Sequence, residues 1–420
     1  MEKDLNKTKS TFCSAPYIAS YIGMQGEFMP CCLFDWKSRL STYSGDDNLL
    51  DHMNSTAAVQ LRKDLHNGVR AKPCGHCWEL EDKGLDSLRD NFNRLYDYDE
   101  IVKATNANNF FIPDLKLRYI DIRFSNKCNL KCVTCGSIWS TSWYGDSVKL
   151  GDSLPSEPKL KSIENTDNLL SQIYDQIDNI EQIYFAGGEP LMIPEHYKLL
   201  NKIIDKGRAD KVKLLYSTNM AKLTYGKWDV VPLWKQFKEV CVQASLDGSH
   251  SRGEYLRTNI KWVNVEANIE RLQKEVPHLN FNISPTVSWM NSYNVVDLYR
   301  EFIEKKYLVV GRIHTNILHG PEQYTLWKLP KEHLDALVSK YSKHIEWIKT
   351  LDAPDHLIIK DIIAFEKVII YIKEGLELKL DNHKEETYSL IHANLDKLRK
   401  VDFFNIFPEF ADLKNKNYHE

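Results

Sequence analysis

Apolar and polar positions change their period along this chain. Between residues 119 and 313, short apolar runs of strand length alternate with longer stretches whose apolar residues recur at helical spacing. The strand-like runs are residues 119–124, 183–185, 213–217, 240–245, 281–287 and 308–313. Helical spacing marks 168–180, 194–206, 263–274 and 295–305 between them. Upstream, 55–67 and 79–96 also carry helical spacing. Downstream, 357–372 keeps apolar residues at 358, 362, 365, 369 and 372 despite Lys360, Asp361, Glu366 and Lys367, which predicts a buried helix. The rest of the C-terminal hundred residues reads mostly helical, punctuated by Pro330, Pro354 and Pro408.

This pattern divides the chain into residues 1–112, 113–320 and 321–420. Strands alternating with helices predict an α/β fold of βα units with a parallel sheet. Six such units would make a partial (β/α)6 TIM-like barrel, open on one side, with its chemistry at the C-terminal strand ends.

Composition narrows the setting. The 420 residues are 43% hydrophobic and 27% charged, a soluble globular profile with material for two or three domains. A net charge of -3 advertises no basic surface for nucleic acid. The first residues lack the apolar stretch of a secretory signal, and no run of about 18 uncharged apolar residues predicts a membrane span. Nine cysteines, an odd number held mostly in tight groups, favour metal ligation over disulfides and a reducing cytoplasm as the location.

The chemistry gathers at strand ends. Directly after the first strand, Cys128, Cys132 and Cys135 follow C-x3-C-x2-C spacing on a loop. Three thiolates on a four-iron cube leave one iron open, whereas electron-transfer clusters take four cysteines. On spacing alone, a zinc site or one edge of a ferredoxin-type cluster fits as well. Gly187-Gly188-Glu189-Pro190 follows the second strand, where two glycines allow close backbone approach and the carboxylate can accept from an ammonium. Ser217-Thr218-Asn219 closes the third strand, and Ser245-Leu246-Asp247-Gly248 the fourth, with Arg257 beyond it. Singly, each of these is also an ordinary turn, cap or surface residue.

As an ordered series they resemble the radical S-adenosylmethionine (SAM) superfamily. The resemblance implies a 4Fe–4S cluster on Cys128, Cys132 and Cys135, with SAM on the open iron. It implies that Gly187, Gly188, Glu189 and Pro190 meet the methionine amino group. Ser217 and Asn219 would contact the ribose and carboxylate, with Ser245, Asp247 and Arg257 completing the SAM site. Thr134 departs from the pattern, since an aromatic residue often precedes the third cysteine.

A second cysteine set lies upstream. Cys13, Gly26 and Cys31 follow C-x12-G-x4-C spacing, and Cys74 and Cys77 form a C-x2-C pair. This resembles the twitch domain, a short form of the SPASM domain, here preceding the barrel. It implies a second, auxiliary 4Fe–4S cluster fully ligated by Cys13, Cys31, Cys74 and Cys77. Four cysteines with a C-x2-C pair also suit tetrahedral zinc. Cys32 competes with its neighbour Cys31, and the G-x4-C spacing selects Cys31. Cys241, in mid-strand, reads as a small buried residue.

The superfamily's reaction is the implied function. An electron from a flavodoxin or ferredoxin cleaves SAM to methionine and a 5′-deoxyadenosyl radical, which takes hydrogen from a substrate C–H bond. An auxiliary cluster that accepts an electron would make the net reaction an oxidation of a peptide or protein, or alternatively of a sugar or small polar metabolite. A non-catalytic zinc- or cluster-binding protein is the reading from another class, and it leaves the strand-end motifs without a role. Alternation places Gln243 with Ser245 and Asp247, and groups Asn282, Ser284 and Thr286, then Arg312, His314 and Asn316, as polar sets for a polar substrate. His314 could be an acid or base, although a lone strand-end histidine is more often structural.

Overall fold

The computed structural model describes residues 10–84, 86–103, 105, 109–152, 154, 158, 165–378 and 388–415. The chain groups into two units. The first comprises residues 1–127, 159–216 and 224–240, and the second comprises 128–158, 217–223 and 241–420.

The first unit is built on a sheet. The strands Ala19–Ile22, Tyr119–Ile122, Gln182–Phe185 and Lys213–Thr218 pair in parallel, in that spatial order. Glu27–Met29 and Ser41–Thr42 extend it antiparallel beyond Ala19–Ile22. The sheet therefore crosses the boundary at residue 112, because the N-terminal Ala19–Ile22 pairs with the first βα strand. Its two faces differ. Ile120, Ile183 and Leu214 stand in one row and Ile122, Phe185 and Tyr216 in the next, all 1% exposed or less. Period-2 alternation turns Tyr21, Asp121, Tyr184 and Leu215 to the other face in a single row.

In the second unit, the segment 241–244 of the strand Glu239–Ala244 pairs in parallel with Asn280–Ile283, and Thr286–Val287 pairs in parallel with Asn316–Ile317. The expected strand 281–287 is broken here, since Pro285 has no N–H to give a ladder. The expected strand 308–313 is absent apart from one parallel bridge, Ile283 to Ile313. Asp361 holds this segment from the side away from Asn280–Ile283. Its buried carboxylate accepts the backbone N–H of Gly311 (2.6 Å) and of Ile313 (3.5 Å), together with the Tyr299 hydroxyl. Gly311 itself turns at φ +85°. That turn breaks the extended run, while the bridge keeps its bonds, Ile283 N–H to the Arg312 carbonyl (3.0 Å) and His314 N–H to the Ile283 carbonyl (2.9 Å).

The helices follow their periodicity more closely. Thr56–His66 is capped by Ser55, whose hydroxyl accepts from the Ala58 N–H. Thr166–Gln176, Pro194–Asp205, Trp262–Glu275 and Val295–Glu304 lie where expected. The stretch 79–96 is instead two helices, Gly75–Asp82 and Leu88–Leu95. Gly84 at φ +70° ends the first, and a capping box of Ser87 and Asp90 starts the second. The C-terminal region is helical, as Lys331–Ile348, Asp355–Leu378 and Tyr388–Arg399. No described helix is long and apolar enough to cross a membrane.

Candidate metal centres

The loop of Cys128, Cys132 and Cys135 is fixed largely by its backbone. The Cys128 carbonyl accepts from the Ser142 hydroxyl (2.7 Å) and the Thr141 hydroxyl (3.3 Å). Lys131–Cys132 pairs antiparallel with Arg257–Thr258, setting Arg257 opposite Cys132. The Trp143 indole donates to the Cys132 carbonyl (2.7 Å), and the Cys135 N–H reaches the same oxygen (3.0 Å). The three sulfurs are thereby held from the backbone side.

Polar side chains then meet the sulfurs. Asn219 points Nδ2 at the Cys128 sulfur (3.9 Å) and at Asn129 Oδ1 (2.9 Å). Arg257 Nη1 lies 3.6 Å from the Cys132 sulfur. Its Nε and Nη2 face the two Asp247 oxygens at 2.8 and 3.0 Å. Asp247 is itself fixed by the Thr286 N–H (2.8 Å). Arg257, expected in the SAM site, thus has Asp247 and Cys132 as its partners. Burial pushes the Cys132 thiol up, opposed by Arg257, and pushes Cys135 up to about 12. Such thiols give up their protons when a metal takes the charge. The donor set suits an iron cluster: three sulfurs on one loop, with guanidinium charge beside them.

Gly187-Gly188-Glu189-Pro190 packs against the segment leading into Cys128. Gly188 donates to the Ser125 carbonyl (3.1 Å) and Glu189 to that of Lys127 (2.7 Å). A Cβ at Gly188 would stand 2.3 Å from the Lys127 oxygen. The close approach that these glycines allow is to protein backbone. Glu189, 2% exposed, caps the short helix Pro190–Met192 by accepting the Leu191 N–H (3.1 Å). Ser217 lies near the end of Lys213–Thr218, and Ser245 donates its N–H to the Thr218 carbonyl (2.8 Å).

The N-terminal cysteines converge. Cys13, Cys31, Cys74 and Cys77 line one cavity, closed by Pro30, Trp78, Leu88 and Arg89 among others. Cys32 is outside it, and its own burial, followed by the facing Asp121 carboxylate, pushes the thiol up to about 12. Burial raises all four cavity thiols, Cys74 to about 12. The Cys77 sulfur is within hydrogen-bonding reach of the Leu88 and Arg89 N–H groups and the Ser87 hydroxyl, at the start of Leu88–Leu95. Arg89 pairs with Glu81, donates to the Phe12 carbonyl (2.8 Å) and lies over the Trp78 ring. Its charge lowers Cys13 and Cys74. Among the described residues, no group of three or more His, Cys, Asp or Glu is arranged to hold a metal ion. A four-iron cube asks for more widely spaced sulfurs than one zinc ion, because each sulfur binds a different iron.

The sequence reading missed Arg89, Trp143, Asp146 and Arg399. None lies in a cysteine motif, and only the fold brings them near the sulfurs. The expected polar substrate sets bond in part to protein: Asn316 to Ser284 Oγ (2.8 Å), Arg312 to Asn280 Oδ1 (3.0 Å), and Asn282 to the Asn280 and Val242 carbonyls (3.1 and 3.3 Å).

Residues 122–289 match the family model described as Radical SAM superfamily. Among solved structures, native anSMEcpe with bound AdoMet and Cp18Cys peptide is similar at 20% identity and a TM-score of 0.38, covering 55% of this chain and 60% of that one. A hexahistidine-tagged form of anSMEcpe with bound AdoMet is similar at 20% identity and a TM-score of 0.38, covering 56% and 59%. This chain thus spans less than two thirds of either. No curated protein matches it.

Proposed function

We propose that this chain, whose residues 122–289 match the radical SAM family model, is a radical SAM enzyme with a second iron–sulfur site in its N-terminal part. The observation that carries the second site is the single cavity shared by Cys13, Cys31, Cys74 and Cys77. When bound, the first cluster and SAM supply a 5′-deoxyadenosyl radical able to take hydrogen from a C–H bond, and the second cluster a one-electron acceptor.

The chain's own residues divide that work. Cys128, Cys132 and Cys135 hold the first cluster with three thiolates, which leaves one iron for SAM. Asn219 orients Cys128, and Arg257 balances negative charge at Cys132 while Asp247 fixes its fork. The glycine pair lets the second strand-end loop close on Ser125–Lys127, setting where Cys128 begins. Cys13, Cys31, Cys74 and Cys77 hold the second cluster fully, and full ligation suits electron transfer over substrate binding. Arg89 and the donors at Ser87, Leu88 and Arg89 favour its reduced form, as charge and hydrogen bonds to sulfur do. An oxidation is the net reaction this supports, and the fold class we propose is the partial barrel with a twitch-like N-terminal part.

Metal content tests the assignment. Anaerobically reconstituted protein should hold about eight irons per chain, two four-iron clusters. Cys31→Ser should halve that, and Cys32→Ser should leave it intact. Four irons in wild type, or loss in Cys32→Ser alone, would contradict it.

A further inference from the structure

Arg399 ends the helix Tyr388–Arg399, far along the chain from every cysteine, yet its side chain is 5% exposed. Its Nε pairs with Asp146 Oδ2 (3.1 Å), and Nη1 donates to Thr258 Oγ1 (3.0 Å). Its guanidinium lies 4.5 Å over the Trp143 ring. Each contact leads to the cluster loop. Trp143 donates to the Cys132 carbonyl, and Thr258 belongs to the strand paired with Lys131–Cys132. The charge of Arg399 is felt at the Cys132 sulfur.

The local charges are closely shared. Lys131 pairs with Asp146 Oδ1 (2.9 Å), so one carboxylate serves two cations, while Arg257 has Asp247 to itself. Asp396, on the same helix, also feels the Arg399 charge, so three cations meet three carboxylates around the loop. Among the described residues, Arg399 Nη2 is buried with no hydrogen-bond partner. A clamp that served only to tie down the helix would need no such unused donor.

We propose that Arg399 is a positioning and charge-setting residue for the cluster on Cys128, Cys132 and Cys135, so that the C-terminal helix belongs to the electron-accepting site. An electron added to the cluster is a negative charge added beside a buried cation. In a poorly screened interior that cation favours the reduced state. This rests on the reading of those cysteines as cluster ligands.

The test is the midpoint potential of the EPR signal that changes on adding SAM, in wild type, Arg399→Gln, Arg399→Lys and Asp146→Asn. Arg399→Gln should move the midpoint negative, so that severalfold less cluster is reduced at the wild-type midpoint. Arg399→Lys, which keeps the charge, should stay near wild type. Asp146→Asn, which removes the opposing charge, should move it positive, and it carries the test if Arg399→Gln does not fold. An unmoved midpoint in Arg399→Gln, an equal displacement in Arg399→Lys, or a negative shift in Asp146→Asn would overturn the proposal. A SAM-sensitive signal surviving replacement of Cys128, Cys132 and Cys135 by Ala would overturn the underlying reading instead.

Discussion

A methyl group added at Gly188 would lie 2.3 Å from the Lys127 oxygen, whereas one at Gly136, beside Cys135, meets nothing within 4 Å. Gly188→Ala should therefore force the loop off the segment leading to Cys128, costing about 1–3 kcal/mol as overpacking does. Gly136→Ala should fall within about 0.5 kcal/mol of wild type. Thermal melts of both variants check the contrast, and iron content should drop in the first only. His196 is another single residue with a measurable signature. Burial lowers its pKa from 6.5 to about 3, and its ring bonds the Tyr216 hydroxyl (2.8 Å). Between those values the unfolded chain binds a proton that the folded chain refuses. Stability contributed this way is present above about pH 6.5 and lost as pH falls, at about 1.4 kcal/mol per pH unit. His196→Asn should flatten the dependence of denaturant stability on pH between about 6.5 and 5, the window below the unfolded pKa. An unchanged slope would refute the assignment.

Among the elements, Asp361 ties a helix to the turn at Gly311. Its carboxylate holds Gly311, Ile313 and Tyr299 from the helix Asp355–Leu378. Asp361→Ala should leave buried donors unpaired, at about 1–3 kcal/mol each. Asp361→Asn, which keeps an acceptor, should cost less, and denaturant midpoints that rank the two the other way would contradict this role. The same turn shows where sequence reading stops. Periodicity located the helices because a buried stripe leaves its mark every third or fourth residue, as in Thr56–His66. It misread 308–313, because an apolar run looks alike whether its backbone stays extended or turns, as at Gly311. Cysteine spacing pointed to all seven proposed ligands, since loops that bind metal repeat local geometry. Arg89 and Arg399 left no such mark, because their partners are distant in sequence and chosen by the fold.

For the whole molecule, the N-terminal cavity ties together three separate stretches, at Cys13, at Cys31 and at Cys74 with Cys77. A cluster there would act as a cross-link whose binding energy adds to folding. Stripping iron anaerobically should lower the melting temperature, and by more in wild type than in Cys74→Ser, which lacks that cross-link from the start. Equal losses would place the stabilising metal elsewhere. SAM cleavage at Cys128, Cys132 and Cys135 leaves one product to look for. With dithionite and SAM, the reconstituted protein should release 5′-deoxyadenosine, and Cys128→Ala should release none. Wild-type protein that binds four irons at this loop yet yields no deoxyadenosine, or a Cys128→Ala variant that matches it, would contradict the account.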